Sequence, residues 1–131
     1  MCRCNHGVAI DYYALGIIVY ECMFGSRPYV GQTRQEIRDK ILAKQAVVKK
    51  SEIPFGWSQE AADFINQTIQ RKPQARLGNN GPQEVISHAW FKSIDWEKLR
   101  SKKLQAPFTP IYRPEEYQDQ LAALQDAPIA P

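Results

Sequence analysis

The sequence has little of what would tie a chain to a membrane, a nucleic acid or an oxidising compartment. No uncharged apolar run approaches the roughly 20 residues that a membrane-spanning helix needs, and Met1-Cys2-Arg3-Cys4 leads into no apolar targeting segment. Cysteine is scarce. Its three residues are an odd number that, without a leader, points to free thiols in a reducing, cytoplasmic setting. The net charge is only +3, so no nucleic-acid partner is indicated. The basic clusters Lys49-Lys50, Arg71-Lys72 and 98–103 read as solvated surface. Histidine is limited to His6 and His88. Cys2-x-Cys4-x-His6 amounts to half of a zinc set, and neither Cys22 nor His88 follows at a matching spacing, so no metal site is expected. Internal repeats are missing, and so is any pair of runs that would make a β-hairpin. What remains is an ordinary globular composition, 44% apolar and 24% charged over 131 residues, sufficient for one small domain.

The chain is organised around Asp11-Tyr12-Tyr13-Ala14-Leu15-Gly16-Ile17-Ile18-Val19-Tyr20-Glu21-Cys22-Met23-Phe24-Gly25. Residues 12–20 carry no charge, and Ile17, Ile18, Val19 and Tyr20 point in four directions on a helix. A helix over roughly 11–24 is therefore apolar almost all round and calls for enclosure by other elements. Asp11 suits an N-cap or first-turn position, and Gly25 with Pro28 beyond it ends the run. A buried strand over residues 16–20 is the alternative, because Ile, Val and Tyr favour strands. The length of the run and its punctuation favour the helix.

Downstream, Thr33 can cap an amphipathic helix reaching Lys44, with Ile37, Ile41 and Leu42 as its apolar positions and Glu36 and Lys40 at the favourable i,i+4 spacing. Residues 45–57 form a connector closed by Pro54-Phe55-Gly56-Trp57. Ser58 is a good N-cap with Glu60 in the first turn, and Ala61, Phe64, Ile65, Thr68 and Ile69 make one face of a third helix that stops before Pro73. Gly78-Asn79-Asn80-Gly81-Pro82 is a turn by composition. It leads to a short helix with Val85 and Ile86, then the bulky anchors His88-Ala89-Trp90-Phe91. Trp96, Leu99 and Leu104 predict one further partly buried turn or helix. Beyond Gln105 the prolines at 107, 110, 114, 128 and 131 mark a tail, with a helical piece over 115–124. The expected fold class is all-α, with a domain over 1–104 and an extended or disordered tail over 105–131.

These pieces carry a resemblance. Asp11-x-Tyr13-Ala14-x-Gly16, the apolar run and Tyr20-Glu21, then Ile53-Pro54, Arg71-Lys72-Pro73, Arg76-Leu77-Gly78 and His88-x-Trp90-Phe91, are similar in identity and spacing to the helical C-lobe of protein kinases. Tyr13 stands where tryptophan is usual. Ala106-Pro107-Phe108-Thr109-Pro110 resembles the start of the C-terminal tail of the AGC group of serine/threonine kinases. The resemblance covers about 1–112. It implies a central buried helix with three to four packed helices around it, and ATP-dependent phosphoryl transfer to protein serine or threonine, with ATP and Mg2+ used by an intact member. The implied roles fall on matching residues. The Asp11 carboxylate would accept amides of the catalytic loop, and Gly16 is the structural glycine of the helix motif. Glu21 would bind an arginine of the peptide substrate, and Arg76 would pair with a glutamate that ends the activation segment, just upstream of Met1. A second acidic position used by arginine-directed members falls on Gln32. Read from the residues alone, Asp11 remains open as a plain helix cap and Glu21 as a charge closing a buried helix.

The same resemblance defines what phosphoryl transfer would need and this sequence does not contain: a Gly-rich loop, His-Arg-Asp and Asp-Phe-Gly. Gly78-Asn79-Asn80-Gly81 is a turn without a third glycine or a preceding strand. His6 and His88 show no patterned Ser, Cys or Asp partner. No catalytic, cofactor-binding or metal residue is assigned, and the chain by itself should neither bind ATP nor transfer phosphate. The tail also lacks a Phe-x-x-Phe motif. One functional expectation is a fragment of an AGC-type serine/threonine kinase. It would contribute the peptide-binding helical lobe and have protein or peptide substrates and the kinase N-lobe portion as partners. The other is a non-catalytic interaction module that holds a partner through the 33–44 helix and the groove near Glu21. Neither a nucleic acid nor a membrane is expected as partner. A central helix apolar on every side would expose more apolar surface than soluble monomers usually show unless something covers it.

Overall fold

The computed structural model describes residues 7–109, which contain five α-helices and, among the described residues, no strand. The class is all-α. The described residues fall into two units that divide between Ile94 and Asp95.

The first helix, α1 (Ala9–Phe24), starts two residues earlier than the position of Asp11 suggests, and Asp11 lies in its first turn. Val8 occupies the N-cap with helical angles and gives no side-chain cap. Entry is instead made by turn bonds, Ile10 N–H to Gly7 O and Asp11 N–H to Val8 O, both 3.1 Å. Gly25 ends the helix at φ 69°, with its N–H on Glu21 O. A side chain there would be strained, so this is the stop that only glycine takes readily. Only one stripe of α1 is covered: Ala9, Gly16, Val19 and Met23 are buried, whereas Leu15 and Ile18 are 38% and 57% exposed. The helix expected to be enclosed is enclosed on one side among the described residues.

That side meets α3 (Gln59–Thr68), whose Ser58 cap accepts from Ala61 N–H. Ala61, Ala62, Phe64, Ile65 and Thr68 form its buried face. Gly16 is where the two helices come closest. A β-carbon built on it would lie 2.3 Å from Thr68 Oγ1 and 2.8 Å from Ile69 Cγ2. Phe64, Ile65 and Ile69 are wholly buried, each burial contributing about 1.5–3 kcal/mol. The Phe64 ring gathers His88, Trp90 and Phe91 at 5.3, 5.1 and 5.2 Å, and Val85 of α4 (Pro82–Ile86) completes this core.

The second helix, α2 (Arg34–Ala43), is N-capped by Thr33, which accepts from Glu36 N–H, and none of its residues is buried. Ile37 and Ile41 are half-buried while Leu42 is 57% exposed. Polar contacts hold the helix in place. Lys40 Nζ donates to Val30 O at 2.6 Å, and the Arg71 guanidinium donates to the carbonyls of Ile41 and Leu42, a cation placed where a helix C-terminus favours one. The connector behind α2 is fastened by side chains acting as backbone substitutes. Asn66 accepts from Val48 N–H at 2.7 Å and donates to Val48 O at 2.9 Å. Tyr29 Oη accepts from Ala46 N–H and donates to Lys44 O.

The second unit carries α5 (Trp96–Arg100), capped by Asp95, which accepts from Lys98 N–H. The further helix expected around Trp96 is present, with Trp96 half-buried and Leu99 and Leu104 46% and 42% exposed. Residues 103–109 have no regular structure. The predicted helical piece over 115–124 and the Cys2-x-Cys4-x-His6 cluster lie outside the described residues. No helix among the described residues is long and apolar enough to cross a membrane.

Candidate functional site

The two ends of α1 hold the charged residues singled out in the sequence. At the N-terminal end, Arg76 is 9% exposed. Its Nη1 donates to Ala9 O at 2.6 Å, and its Nε and Nη2 donate to Gln70 O at 3.0 and 2.8 Å. The guanidinium also lies 4.8 Å from the Tyr13 ring centroid, a cation–π distance. The arginine sits there because the turn over Pro73–Ala75 and its return bond, Arg76 N–H to Pro73 O, direct the side chain back across the start of α1. Burial lowers the Arg76 pKa, with Tyr13 opposing. Burial raises the Tyr13 hydroxyl, Tyr29 adds to the rise and Arg76 opposes it. Among the described residues Arg76 forms no ion pair with a carboxylate. A cavity of about 720 Å3 opens beside it, lined by Ala9, Tyr13, Ile41, Arg71 and Pro73 as well as Arg76. Two guanidinium-bearing side chains and an apolar floor suit a carboxylate carried on an apolar segment.

Asp11 is exposed in the first turn of α1, and its carboxylate has no hydrogen bond or ion pair among the described residues. Gly16 is buried mid-helix against Thr68, as described. Glu21 lies near the other end, exposed, with Arg27 Nε donating to its Oε2 at 3.4 Å. A second cavity of about 720 Å3 lies beyond it, with Tyr20, Phe24 and Tyr29 as aromatic walls and Lys40, Lys44 and Glu52 at its rim. Burial raises the Tyr20 hydroxyl there, with Glu52 and Tyr29 adding to the rise. Asp11, Gly16 and Glu21 thus lie along one helix. The fold adds Arg76 to the Asp11 end, through Ala9 and Tyr13, and adds Arg27 to the Glu21 end.

His88, for which no partner is patterned in the sequence, has one in the fold. The packing of α3 against the Ala89–Phe91 turn that His88 caps brings Asp63 to it, with Nε2 at 3.3 Å from Asp63 Oδ2, although the two are 25 residues apart. Such a distance in sequence leaves no spacing signal to read. The other ring nitrogen, Nδ1, accepts from Trp90 N–H at 3.2 Å, which places the proton of the neutral ring on Nε2 toward the carboxylate. Nδ1 fastens the Trp90–Phe91 turn and Nε2 faces Asp63, so the ring has no free lone pair to act as a base. Among the described residues, no three His, Cys, Asp or Glu side chains converge as metal ligands do.

Comparison with known proteins fits this arrangement. The family model described as the protein kinase domain matches residues 2–91. Ribosomal protein S6 kinase beta of Caenorhabditis elegans is 34% identical over 110 residues, 82% of this chain and 19% of that protein. Protein kinase 2 of Dictyostelium discoideum is 37% identical over 106 residues, covering 81% and 21%. A protein kinase C-like protein of Cochliobolus heterostrophus is 32% identical over 109 residues, covering 81% and 9%. The chain thus spans about a fifth or less of the length of the curated relatives it matches.

Proposed function

The chain belongs to the protein kinase family. On that premise we propose that it is the helical, substrate-binding part of an AGC-type serine/threonine kinase, whose whole activity is ATP-dependent phosphoryl transfer to protein hydroxyls. The observation that carries the proposal is the half-covered α1. Its Gly16 stripe is locked to α3, while Leu15 and Ile18 present an apolar face to solvent. A helix built for enclosure on both sides belongs to a larger core, and in this reading the helices and catalytic loop of the remaining kinase domain are the cover.

Within that reading, the exposed Asp11 carboxylate, without a partner among the described residues, accepts amides of the catalytic loop. Arg76, already oriented by Ala9 O, Gln70 O and the Tyr13 ring, pairs with a carboxylate entering the cavity beside it. Gly16 sets the helix–helix distance on which both depend. Glu21 accepts the guanidinium of a substrate arginine. The domain runs over 1–104 with the tail beyond, and the exposed thiol of Cys22 fits a reducing, cytoplasmic location. Protein or peptide substrates are its partners, with no role for nucleic acid or membrane.

Intact members of the family use ATP and Mg2+. The residues present here do not fit that group: the sequence holds no Gly-rich phosphate loop, no catalytic-loop Asp and Asn and no Asp-Phe-Gly, and no acidic cluster assembles among the described residues. No step is derived through it. The purified chain is therefore expected to give no heat on titration with Mg-ATP and to transfer no phosphate, while binding arginine-containing serine peptides in a Glu21-dependent way. Phosphate transfer by the 131-residue chain alone would refute this assignment of roles.

A further inference from the structure

Glu21 is not an open acceptor. Arg27 Nε donates to its Oε2 at 3.4 Å, and the two side chains, Glu21 at 46% and Arg27 at 68%, stay exposed. Residues six apart do not face each other on a continuous helix, where neighbours are three or four apart. The stop at Gly25 brings them together. Its left-handed φ of 69° and the return of its N–H to Glu21 O turn the chain back over the last turn of α1, and Arg27 comes to rest on Glu21. The last turn of α1 holds no basic residue of its own, so Arg27 also supplies the positive charge that a helix C-terminus favours. Pro28 follows with its restricted φ and limits how far Arg27 can drift.

We infer that Arg27 is a specificity-determining residue: an internal guanidinium that occupies Glu21 and must be displaced before an arginine of a peptide can bind there. The inference rests on the reading of Glu21 as the arginine acceptor. Arg27 uses a single Nε contact at 3.4 Å, at the long end for a charge-assisted bond, so the pair exchanges readily. An incoming guanidinium that presents its two-pronged edge makes two parallel bonds and displaces it. An exposed pair of this kind holds with an equilibrium constant of order one to five. The fraction of free Glu21 falls accordingly, and the apparent affinity for an arginine peptide drops about two- to sixfold. Peptides without arginine do not use Glu21 and are unaffected. Arg27 thus damps discrimination between the two classes without abolishing it.

The test titrates the full 131-residue chain, labelled with 15N, with an acetylated arginine-containing serine peptide and its glutamine counterpart, following the amides of Gly25 and Arg27. Arg27→Ala is expected to tighten the arginine peptide about two- to sixfold and leave the glutamine peptide unchanged. The gain should vanish when Arg27→Ala is made on a Glu21→Gln background, which a general loss of positive charge would not produce. Equal affinity of wild type and Arg27→Ala for the arginine peptide, with Glu21→Gln weakening both, overturns the inference and spares the role of Glu21. No effect of Glu21→Gln in either background, or no binding at all, overturns that role and the inference with it.

Discussion

The crossing of α1 on α3 makes a sharp demand on a single residue, Gly16. Replacing Gly16 by alanine adds one methyl group to a helix interior, which by itself favours folding by about 1 kcal/mol. Here the new carbon would stand 2.3 Å from Thr68 Oγ1, 2.8 Å from Ile69 Cγ2 and 2.9 Å from Thr68 Cβ. None of these neighbours has free space, because Thr68 and Ile69 are 0% and 1% exposed. Two costs follow. Spreading α1 from α3 is overpacking, about 1–3 kcal/mol. Rotating Thr68 away would break the bond its hydroxyl donates to Phe64 O at 2.7 Å and leave a buried polar group unpaired, about 1–3 kcal/mol. With both costs and net of the propensity gain, Gly16→Ala should destabilise by roughly 1–5 kcal/mol. That corresponds to a fall in Tm of at least about 4 °C for a unit of this size. Circular dichroism at 222 nm during heating of wild type and variant side by side reads it. Thr68→Ala removes the nearest contact and should recover part of the loss on the Gly16→Ala background while being destabilising alone. A Gly16→Ala protein that melts at or above the wild-type temperature would refute the close helix crossing and the placement of α1 on α3 with it.

Ser58→Ala, which removes the cap that accepts from Ala61 N–H, should lower stability by about 1 kcal/mol in urea unfolding. Arg76→Gln removes donors from Ala9 O and Gln70 O and the charge over Tyr13. It should lower stability by about 2–3 kcal/mol in the same assay, and Arg76→Lys, with fewer donors, should rescue only part of it. The Asn80 side chain, Asn80 N–H and Gly78 N–H all donate to Glu84 and hold its carboxyl below its ordinary 4.5. The unfolded chain lacks those bonds and binds the extra proton first, so this stabilisation is full above about pH 4.5 and fades as the pH falls further. Glu84→Gln should flatten that limb in urea midpoints recorded from about pH 3 to 6; an unchanged limb would remove Glu84 from the account.

The helices were legible where local chemistry and tertiary demand agree. Thr33 and Ser58 cap α2 and α3 as their side chains predict, and the Ala61, Phe64, Ile65, Thr68 face is the one buried. Where no side chain signals the start, less is legible: α1 begins behind Val8, which has no capping atom, so Asp11 marks the first turn and not the boundary. Spacing reaches only as far as one element. Nothing in the order of residues joins Asp63 to His88, Asn66 to Val48 or Arg71 to the end of α2, since these meetings are made by the packing of α3 and the connector. The Glu21–Arg27 pair had a readable signal that helical periodicity passes over, an arginine two residues beyond a helix-ending glycine.

The central claim is that this chain works as the substrate-binding helical part of a serine/threonine kinase and performs no chemistry alone. The most direct measurement is capture of the native polypeptide with an antibody against residues 82–105, followed by its mass and its transfer of labelled phosphate from ATP to a serine peptide. The account predicts a captured polypeptide well above 15.0 kDa that phosphorylates the peptide. A captured species of 15.0 kDa that transfers phosphate by itself, or a larger one that never does, would contradict it.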